Sequence, residues 1–370
     1  MAKPSASSDR LDILNALTRK VLWLSSWTIH HANHIRPNID GLKVGGHQAS
    51  SASLATIMSA LYFSVLRPED RVAVKPHASP VFHAIQYLFG RQSREKLENF
   101  RGFKGAQSYP SRTKDVDDVD FSTGSVGLGV AQTLFSSLVQ DYVQAHGWMK
   151  DRREGRMIAL VGDAEMDEGN IFEALAEGWK HGLRNTWWIV DYNRQSLDAV
   201  VREGLWEKFE TMFRNFGWDV VIVKYGRLMR EAFAEPGGEA LRRWIDNCPN
   251  ALYAALCFQG GAAFRKHIQD DIGDQGDVTR LLDRRSDDEL LALMAWVEKG
   301  SAPETLIATE WKDQEVANGV LRQRPLCKWP EQARYLQQGS PDDAANWKCE
   351  NIHGDHQPGY AQEEQVVGSY

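Results

Sequence analysis

The segment around residue 160 constrains the fold more strongly than any other part of this chain. Residues 157–161 read MIALV, an uninterrupted apolar run that stops at Gly162, and residues 187–190 read WWIV. Between these runs, apolar residues recur at helical spacing from Asp167 onward. Two short apolar runs joined by a helix are typical of neighbouring parallel strands. The sequence therefore predicts an α/β fold, a parallel sheet with helices on both faces.

Other segments add elements on either side of this unit. Residues 11–34 and 53–66 have helical periodicity, whereas residues 71–74, RVAV, fit a buried strand. Residues 218–223 fit a third strand after the two central ones. The prediction is therefore a sheet built from several short, mostly apolar strands.

The character of the sequence changes beyond Met294. Aliphatic residues become sparse there, and polar residues and tryptophan accumulate without helical or strand period. Such a segment contributes little to a core. We therefore predict a domain over 1–294 and a polar, weakly structured tail over 295–370.

Charge and composition restrict the function. The 370 residues have a formal charge of −7 and no basic stretch, which argues against nucleic-acid binding because that requires an electropositive face. No apolar run is long enough to span a bilayer, so no membrane association is expected. The cysteines lie far apart, which predicts no disulfide framework and a cytoplasmic location. They are Cys248, Cys257, Cys327 and Cys349.

Two polar residues fall at the same edge of the predicted sheet. Asp163 follows the first central strand and Asn193 follows the second, and ligands of open α/β sheets bind beyond these carboxyl ends. Mg²⁺ typically takes one or two carboxylates, while phosphates and waters complete its octahedron of oxygens. Asp163, Asn193 and one backbone carbonyl would thus suit magnesium bound to a diphosphate. For either motif alone, ordinary turn chemistry is the favoured interpretation, and the functional one depends on their combination.

Three upstream segments carry further candidate residues. Residues 45–50 read GGHQAS and include His47, and residues 75–80 read KPHASP and include His77. Residues 122–129, STGSVGLG, are rich in glycine. An imidazole titrates near neutrality and can donate to a developing oxyanion, so both histidines are candidates for catalysis.

Together with these segments, residues 162–195 resemble the thiamine-diphosphate signature of the transketolase superfamily. The spacing is most similar to that of the homodimeric pyruvate dehydrogenase E1 enzymes. The resemblance covers about residues 11–293 and implies the thiamine-diphosphate-binding fold, with thiamine diphosphate and Mg²⁺ as cofactors. It implies metal ligation by Asp163, Asn193 and the backbone carbonyl of Gln195.

The same resemblance assigns roles to other residues. His77 would lie near the diphosphate and the thiazolium, and His47 near the reacting carbonyl, both as catalytic residues. The cofactor-binding residues that it implies are Ser50, His77, Gly127, Gly162, Asp163, Ala164, Glu165 and Asn193.

The sequence departs from the family pattern at three positions. Ala164 replaces the last glycine of the family's GDG motif, which adds a methyl group close to the expected diphosphate. Pro76 stands where the family's GHISP segment has its glycine, directly before His77. Asp191 stands where the E1 enzymes have asparagine, although transketolases resemble this chain there.

The reaction is inferred from the balance of similarities. Residues 108–110, Ser-Tyr-Pro, resemble the E1 enzymes, and the segment lacks the sugar-binding histidine of transketolases. The resemblance therefore implies a 2-oxo-acid dehydrogenase E1-like decarboxylating activity on a small 2-oxo acid. Transketolase-type ketol transfer is the alternative.

No segment matches the family's pyrimidine-binding domain. The chain is therefore expected to require a pyrimidine-domain subunit or to act as a homo-oligomer. Two alternatives come from other functional classes, namely a truncated remnant without catalysis and a regulatory protein that binds the cofactor without chemistry.

Overall fold

The computed structural model describes residues 6–37, 41–194, 200–284, 305–312, 319–327 and 331–350. The chain divides into two compact units. One unit comprises Met1–Met229 and Asn247–Leu256, and the other comprises Arg230–Asp246 and Cys257–Tyr370. The predicted boundary at residue 294 lies outside the described residues and stays a prediction.

Helices predominate in the described part of the chain. The first helix, α1, continues into a π-helical turn at His31–Ile35, and α3 continues into another at Leu61–Val65. Both helical regions predicted upstream of the first strand are therefore confirmed. The helices are α1 (Ala6–His30), α2 (Gln48–Ala52), α3 (Ala55–Ala60), α4 (Ser79–Leu88), α5 (Arg94–Glu98), α6 (Leu128–Ala145), α7 (Gly169–Lys180), α8 (Leu205–Asn215), α9 (Arg227–Ala234), α10 (Gly238–Asn247), α11 (Asn250–Gln259), α12 (Gly261–Ile272) and α13 (Val278–Arg284).

The first unit contains a parallel sheet of three strands in the order β1-β2-β3. They are β1 (Arg71–Ala73), β2 (Met157–Gly162) and β3 (Thr186–Asp191). All six residues of β2 are buried, as its uninterrupted apolar run predicts for a central strand. The predicted α/β class and these three strands are confirmed.

Alternate residues of β2 face two separate cores. Ile158 and Leu160 pack in a cluster with residues of α1, α3 and α4. Ala159 and Val161 pack in a second cluster with residues of α6, α7 and α8. Helices therefore cover both faces of the sheet, as predicted, and the carboxyl ends of the strands remain at its edge.

The predicted strand at 218–223 is wrong. This segment has no regular secondary structure, and Val221 and Val223 are 82% and 88% exposed. The ring of Trp218 lies 4.8 Å from that of Trp188, and Trp218 and Val220 pack against the core cluster that contains Ala159 and Val161. The apolar run thus reflects packing of its first residues rather than pairing with β3.

Part of the predicted tail contains strands. The sequence did not indicate them, because its apolar residues there show no strand periodicity. β4 (Thr305–Trp311) pairs antiparallel with β5 (Val320–Cys327), and β6 (Gln332–Tyr335) pairs antiparallel with β7 (Trp347–Glu350). A disulfide joins Cys327 and Cys349, so the expectation of no disulfide was wrong for this pair. Spacing along the chain could not reveal it, because Cys327 lies in β5 and Cys349 in β7, which belong to two different strand pairs. No helix within the described ranges has the length and apolarity to cross a membrane.

Candidate functional site

The ends of all three parallel strands meet at one edge of the sheet. Gly162, the last residue of β2, lies in register with Asp191, the last residue of β3. Lys75 follows β1 at the same edge. Because parallel strands share their direction, residues far apart in sequence become neighbours there. The edge therefore combines the predicted Asp163 with two charged residues that the sequence had not assigned as ligands.

Asp163 is the central acidic residue of this edge and is only 2% exposed. Its Oδ1 accepts a hydrogen bond from the Ala164 amide at 3.0 Å, and its Oδ2 accepts one from the Arg194 amide at 2.7 Å. Arg194 adopts a φ of 65°, an uncommon conformation for a residue with a side chain. Burial raises the pKa of Asp163, and these two amides with Lys75 oppose that rise.

Asp191 and Lys75 form a buried ion pair across the edge. The Lys75 ammonium donates to Asp191 Oδ2 at 3.1 Å, and the Ser53 hydroxyl donates to the same oxygen at 2.7 Å. Both charged side chains are less than a tenth exposed. The acidic residue at the family's asparagine position is thus neutralised by a lysine from another strand.

Glu165 connects two predicted cofactor-binding glycines. Its Oε1 accepts from the Gly127 amide at 2.8 Å and its Oε2 accepts from the Gly162 amide at 3.2 Å. Burial raises the pKa of this carboxyl, and the two amides oppose that rise. Glu165 therefore ties the glycine-rich segment to the end of β2, and its direct contact with cofactor stays a prediction.

The two predicted catalytic histidines come together on one side of the edge. His77 lies in a short turn between β1 and α4, and His47 immediately precedes α2, which packs against that turn. Both side chains are exposed, and Ser50 of α2 is partly buried. Desolvation lowers the pKa of His77, and the positive charges of Lys75, Arg101 and His47 lower it further. A neutral imidazole at His77 is thus favoured near pH 7.

The remaining predicted residues differ in what the structure describes. Ala164 begins a 3-10 turn (Ala164–Asp167) directly after Asp163, so alanine fits the backbone there. Asn193 lies beyond β3, and its amide donates to the Asp191 carbonyl at 3.1 Å. Gln195 lies outside the described residues. Among those described, no group of three or more histidine, cysteine and acidic side chains is arranged to hold a metal ion.

Features around the glycine-rich segment fit a phosphate-bearing cofactor. Gly127 has a φ of 79°, and a Cβ atom there would lie 2.5 Å from Asn170 Oδ1, so only glycine is accommodated. Among the described residues, the buried Thr123 Oγ1 and Asn170 Oδ1 have no hydrogen-bond partner. A hydroxyl donates to phosphate, and an amide turned over about its last bond does the same. Unpaired buried polar atoms next to a glycine with no room for a side chain are expected where a phosphate binds close to the backbone.

Sequence reasoning missed Lys75, Ser53 and the Arg194 amide. Lys75 lies 116 residues from Asp191, and Ser53 lies 138 residues from it. A usable signal existed for Lys75, since it follows a predicted strand and therefore belongs at the carboxyl edge. Ser53 and the Arg194 amide gave no comparable signal, because their contacts depend on helix packing and on a local φ.

Two protein families match different parts of the chain. The family described as "Transketolase, thiamine diphosphate binding domain" matches residues 43–234, and the family described as "Tannase and feruloyl esterase" matches residues 265–350. The pyruvate dehydrogenase E1 component of Corynebacterium glutamicum is 28% identical over 288 residues, covering 74% of this chain and 30% of that protein. The Escherichia coli K12 protein of the same name is 26% identical over 316 residues, covering 82% of this chain and 34% of that protein.

Solved structures show the same fold. The transketolase of Campylobacter jejuni superposes with a TM-score of 0.50 at 22% identity, covering 65% of this chain and 36% of that one. The chain spans about a third of the length of the curated relatives that it matches. Since the transketolase match alone covers more than half of the sequence, the chain belongs to the family of transketolase-type thiamine diphosphate binding domains.

Proposed function

We propose that this chain is the diphosphate-binding portion of a 2-oxo-acid dehydrogenase E1-like decarboxylating enzyme. The observation that carries the proposal is the convergence of Asp163, Asp191 and His77 at the carboxyl edge of the sheet. The similarity to proteins named pyruvate dehydrogenase E1 component supports this reaction class over others of the family. The substrate we propose is accordingly a small 2-oxo acid.

The charge balance of the edge supports a magnesium ion as part of the site. Three buried carboxylates, those of Asp163, Glu165 and Asp191, face one buried ammonium, that of Lys75. An excess of buried negative charge is unfavourable unless a cation compensates it. We assign Mg²⁺ to the side chains of Asp163 and Asn193 and the carbonyl of Gln195. Magnesium needs few protein ligands, because phosphates and waters supply the others.

The chain's own residues would bind and orient the cofactor in this proposal. Thiamine diphosphate, when bound, supplies the carbanion-stabilising chemistry that cleavage beside a carbonyl requires. Gly127 gives the phosphates access to backbone, and Glu165 holds Gly127 against the end of β2. His77, neutral near pH 7, accepts or donates a proton at its ring nitrogens, and His47 donates to the substrate oxygen.

We further propose that a second polypeptide with a pyrimidine-binding domain completes the site, or that the chain acts as a homo-oligomer. Large apolar residues that are exposed on the neighbouring helices α6 and α7 support such an association. Exposed apolar surface is typical of subunit contacts. These residues are Leu128, Phe135, Val139 and Tyr142 of α6 and Phe172 and Trp179 of α7.

Binding of thiamine diphosphate tests the site independently of turnover. Titration by calorimetry with excess Mg²⁺ should show binding by the wild type and a loss of at least about a hundredfold in Asp163→Ala, because the metal loses its carboxylate ligand. Asp151→Ala, at an exposed position after α6, is the control and should bind like the wild type. Equal binding by Asp163→Ala and the wild type would contradict the metal assignment.

Turnover tests the reaction and the need for a partner. The chain alone should not decarboxylate 2-oxo acids, whereas the chain with a pyrimidine-domain subunit should do so. Robust activity of the purified chain by itself would contradict the partner proposal. Ketol transfer between sugar phosphates by the assembled enzyme, without 2-oxo-acid decarboxylation, would instead support the transketolase-type alternative.

A further inference from the structure

Lys75 occupies a position in the site for which the family pattern gives no role. Its side chain is almost fully buried and extends from the end of β1 to Asp191 at the end of β3. To do so it passes over Gly162 of the central strand, where a Cβ atom would lie 2.9 Å from Lys75 Cε and 3.2 Å from Nζ. The lack of a side chain at residue 162 thus leaves the path that the lysine uses.

The ammonium of Lys75 lies among the buried carboxylates of this edge. It pairs directly with Asp191 at 3.1 Å. The end of its side chain also passes over Gly162, the residue directly before Asp163. Asp163 and Glu165 are themselves buried. Lys75 is therefore a tethered cation at the end of the central strand, next to the proposed metal ligand Asp163.

A tethered cation has opposite consequences for the two ligands of the proposed site. It repels a free divalent metal ion, because both are positive and lie close together at low dielectric. It attracts a diphosphate, because the charges are opposite and also lie close together. A lysine acts on phosphate as a compact point charge. Without Lys75 the carboxylates would instead form a stronger site for metal alone.

We propose that Lys75 makes the edge selective for a divalent metal together with a diphosphate over the metal by itself. This proposal rests on the proposed magnesium and diphosphate site. Asp191 contributes to this selectivity in two ways. It holds the Lys75 ammonium in place, and its negative charge offsets the positive charge of the lysine. Lys75 is thus a specificity-determining residue that favours metal with diphosphate over metal alone.

Two titrations of the full chain test this selectivity. Mn²⁺ without cofactor is followed by the electron paramagnetic resonance signal of the free ion, and thiamine diphosphate at saturating Mg²⁺ is followed by calorimetry. Lys75→Gln should bind Mn²⁺ alone about tenfold more tightly and thiamine diphosphate about tenfold more weakly than the wild type. Asp191→Asn should have the opposite effects, binding Mn²⁺ alone more weakly and thiamine diphosphate more tightly than the wild type. Lys180→Gln, at an exposed position at the end of α7, should change neither.

The opposed signs separate this role from a structural one. A residue needed only for folding would weaken both ligands together when replaced, and Asp191→Asn supplies the reciprocal result if Lys75→Gln folds poorly. Parallel changes for the two ligands, or no change in either variant, would overturn the proposal. Failure of the proposed site itself has another signature, namely that Asp163→Ala binds Mn²⁺ and thiamine diphosphate like the wild type.

Discussion

The amino and carboxyl edges of the same sheet both contain buried aspartates, which are neutralised in different ways. At the amino edge, Asp70 precedes β1 and Arg156 precedes β2. The Arg156 Nε lies 3.1 and 3.0 Å from the two Asp70 carboxylate oxygens, and its Nη2 donates to Oδ2. The backbone amides of Arg156 and Arg67 also donate to this carboxylate, each at 2.8 Å. One negative charge thus meets one positive charge and several further donors.

At the carboxyl edge the charges are not balanced in this way, because three buried carboxylates face one buried ammonium. Burial raises the pKa of Asp163 and of Glu165 there. At the amino edge, burial acts in the same direction on Asp70, but the hydrogen bonds from Arg156 and Arg67 outweigh it and lower the pKa. An edge whose buried charge is fully compensated stabilises the fold, whereas an edge with excess buried negative charge keeps binding capacity for a ligand at a cost in stability. We therefore expect the difference between the edges to distinguish structural carboxylates from ligand-binding ones.

The largest effect is expected from breaking the amino edge. Asp70→Asn should lower the free energy of unfolding by about 3 kcal/mol, since it leaves Arg156 without its buried counter-ion. The lowered pKa gives the sign of the pH dependence. The contribution of Asp70 is complete above its ordinary pKa of 3.8 and is lost as pH falls through the lowered value. Urea unfolding at pH 7 measures the loss.

Glu98→Gln provides the control for this prediction. Glu98 pairs with Arg94 at 2.7 Å in an exposed, helical i,i+4 arrangement. Its loss should change stability by under about 0.5 kcal/mol. A loss below about 1 kcal/mol in Asp70→Asn would show that the amino edge is not the structural anchor described above.

The glycines at the two edges give an intermediate prediction. A Cβ atom on Gly155 would lie 2.1 Å from the backbone carbonyl oxygen of Glu69, which cannot move away easily. A Cβ atom on Gly162 would meet only the flexible end of Lys75. Gly155→Ala should therefore cost about 2–3 kcal/mol and Gly162→Ala about 1 kcal/mol in urea unfolding. Equal losses, or a larger loss for Gly162→Ala, would contradict a rigid amino edge and an adaptable carboxyl edge.

The parts of the fold predictable from sequence are those whose signal is local. The strands 157–161 and 187–190 are apolar runs ended by Gly162 and Asp191, and the edge rule then places Asp163 and Asn193 together. The apolar run at 218–223 was misleading because a strand also requires a partner strand, and Trp218 packs on Trp188 instead. Local pattern thus located the acidic residues of the site.

The features that could not be predicted from the sequence depend on contacts between distant segments. The pairing of Lys75 with Asp191 requires three strands in order and a glycine in the middle one, and no spacing rule encodes this combination. The disulfide between Cys327 and Cys349 likewise depends on how the strands that carry them are placed. Sequence reasoning therefore located Asp163 and Asn193 after their strands and missed the lysine that pairs with Asp191.

The smallest expected effect is also the most discriminating, because its sign is reversed. Asp163→Asn should raise the free energy of unfolding of the cofactor-free chain at pH 7 by about 1 kcal/mol, since it removes an incompletely neutralised buried charge. The raised pKa means that the folded chain holds this proton at higher pH than the unfolded chain does. Wild-type stability should therefore rise as pH falls through the raised value, and Asp163→Asn should lack this component.

Urea unfolding of both proteins at pH 7 and pH 5 measures this difference. The advantage of Asp163→Asn should shrink at the lower pH, where the wild-type carboxyl is closer to neutral. Saturating Mg²⁺ and thiamine diphosphate should reverse the order, because ligand that binds only the folded wild type stabilises it. A cofactor-free Asp163→Asn less stable than the wild type at pH 7 would place Asp163 with Asp70 among the structural carboxylates. The two edges would then no longer differ in the way their burial and hydrogen bonds indicate.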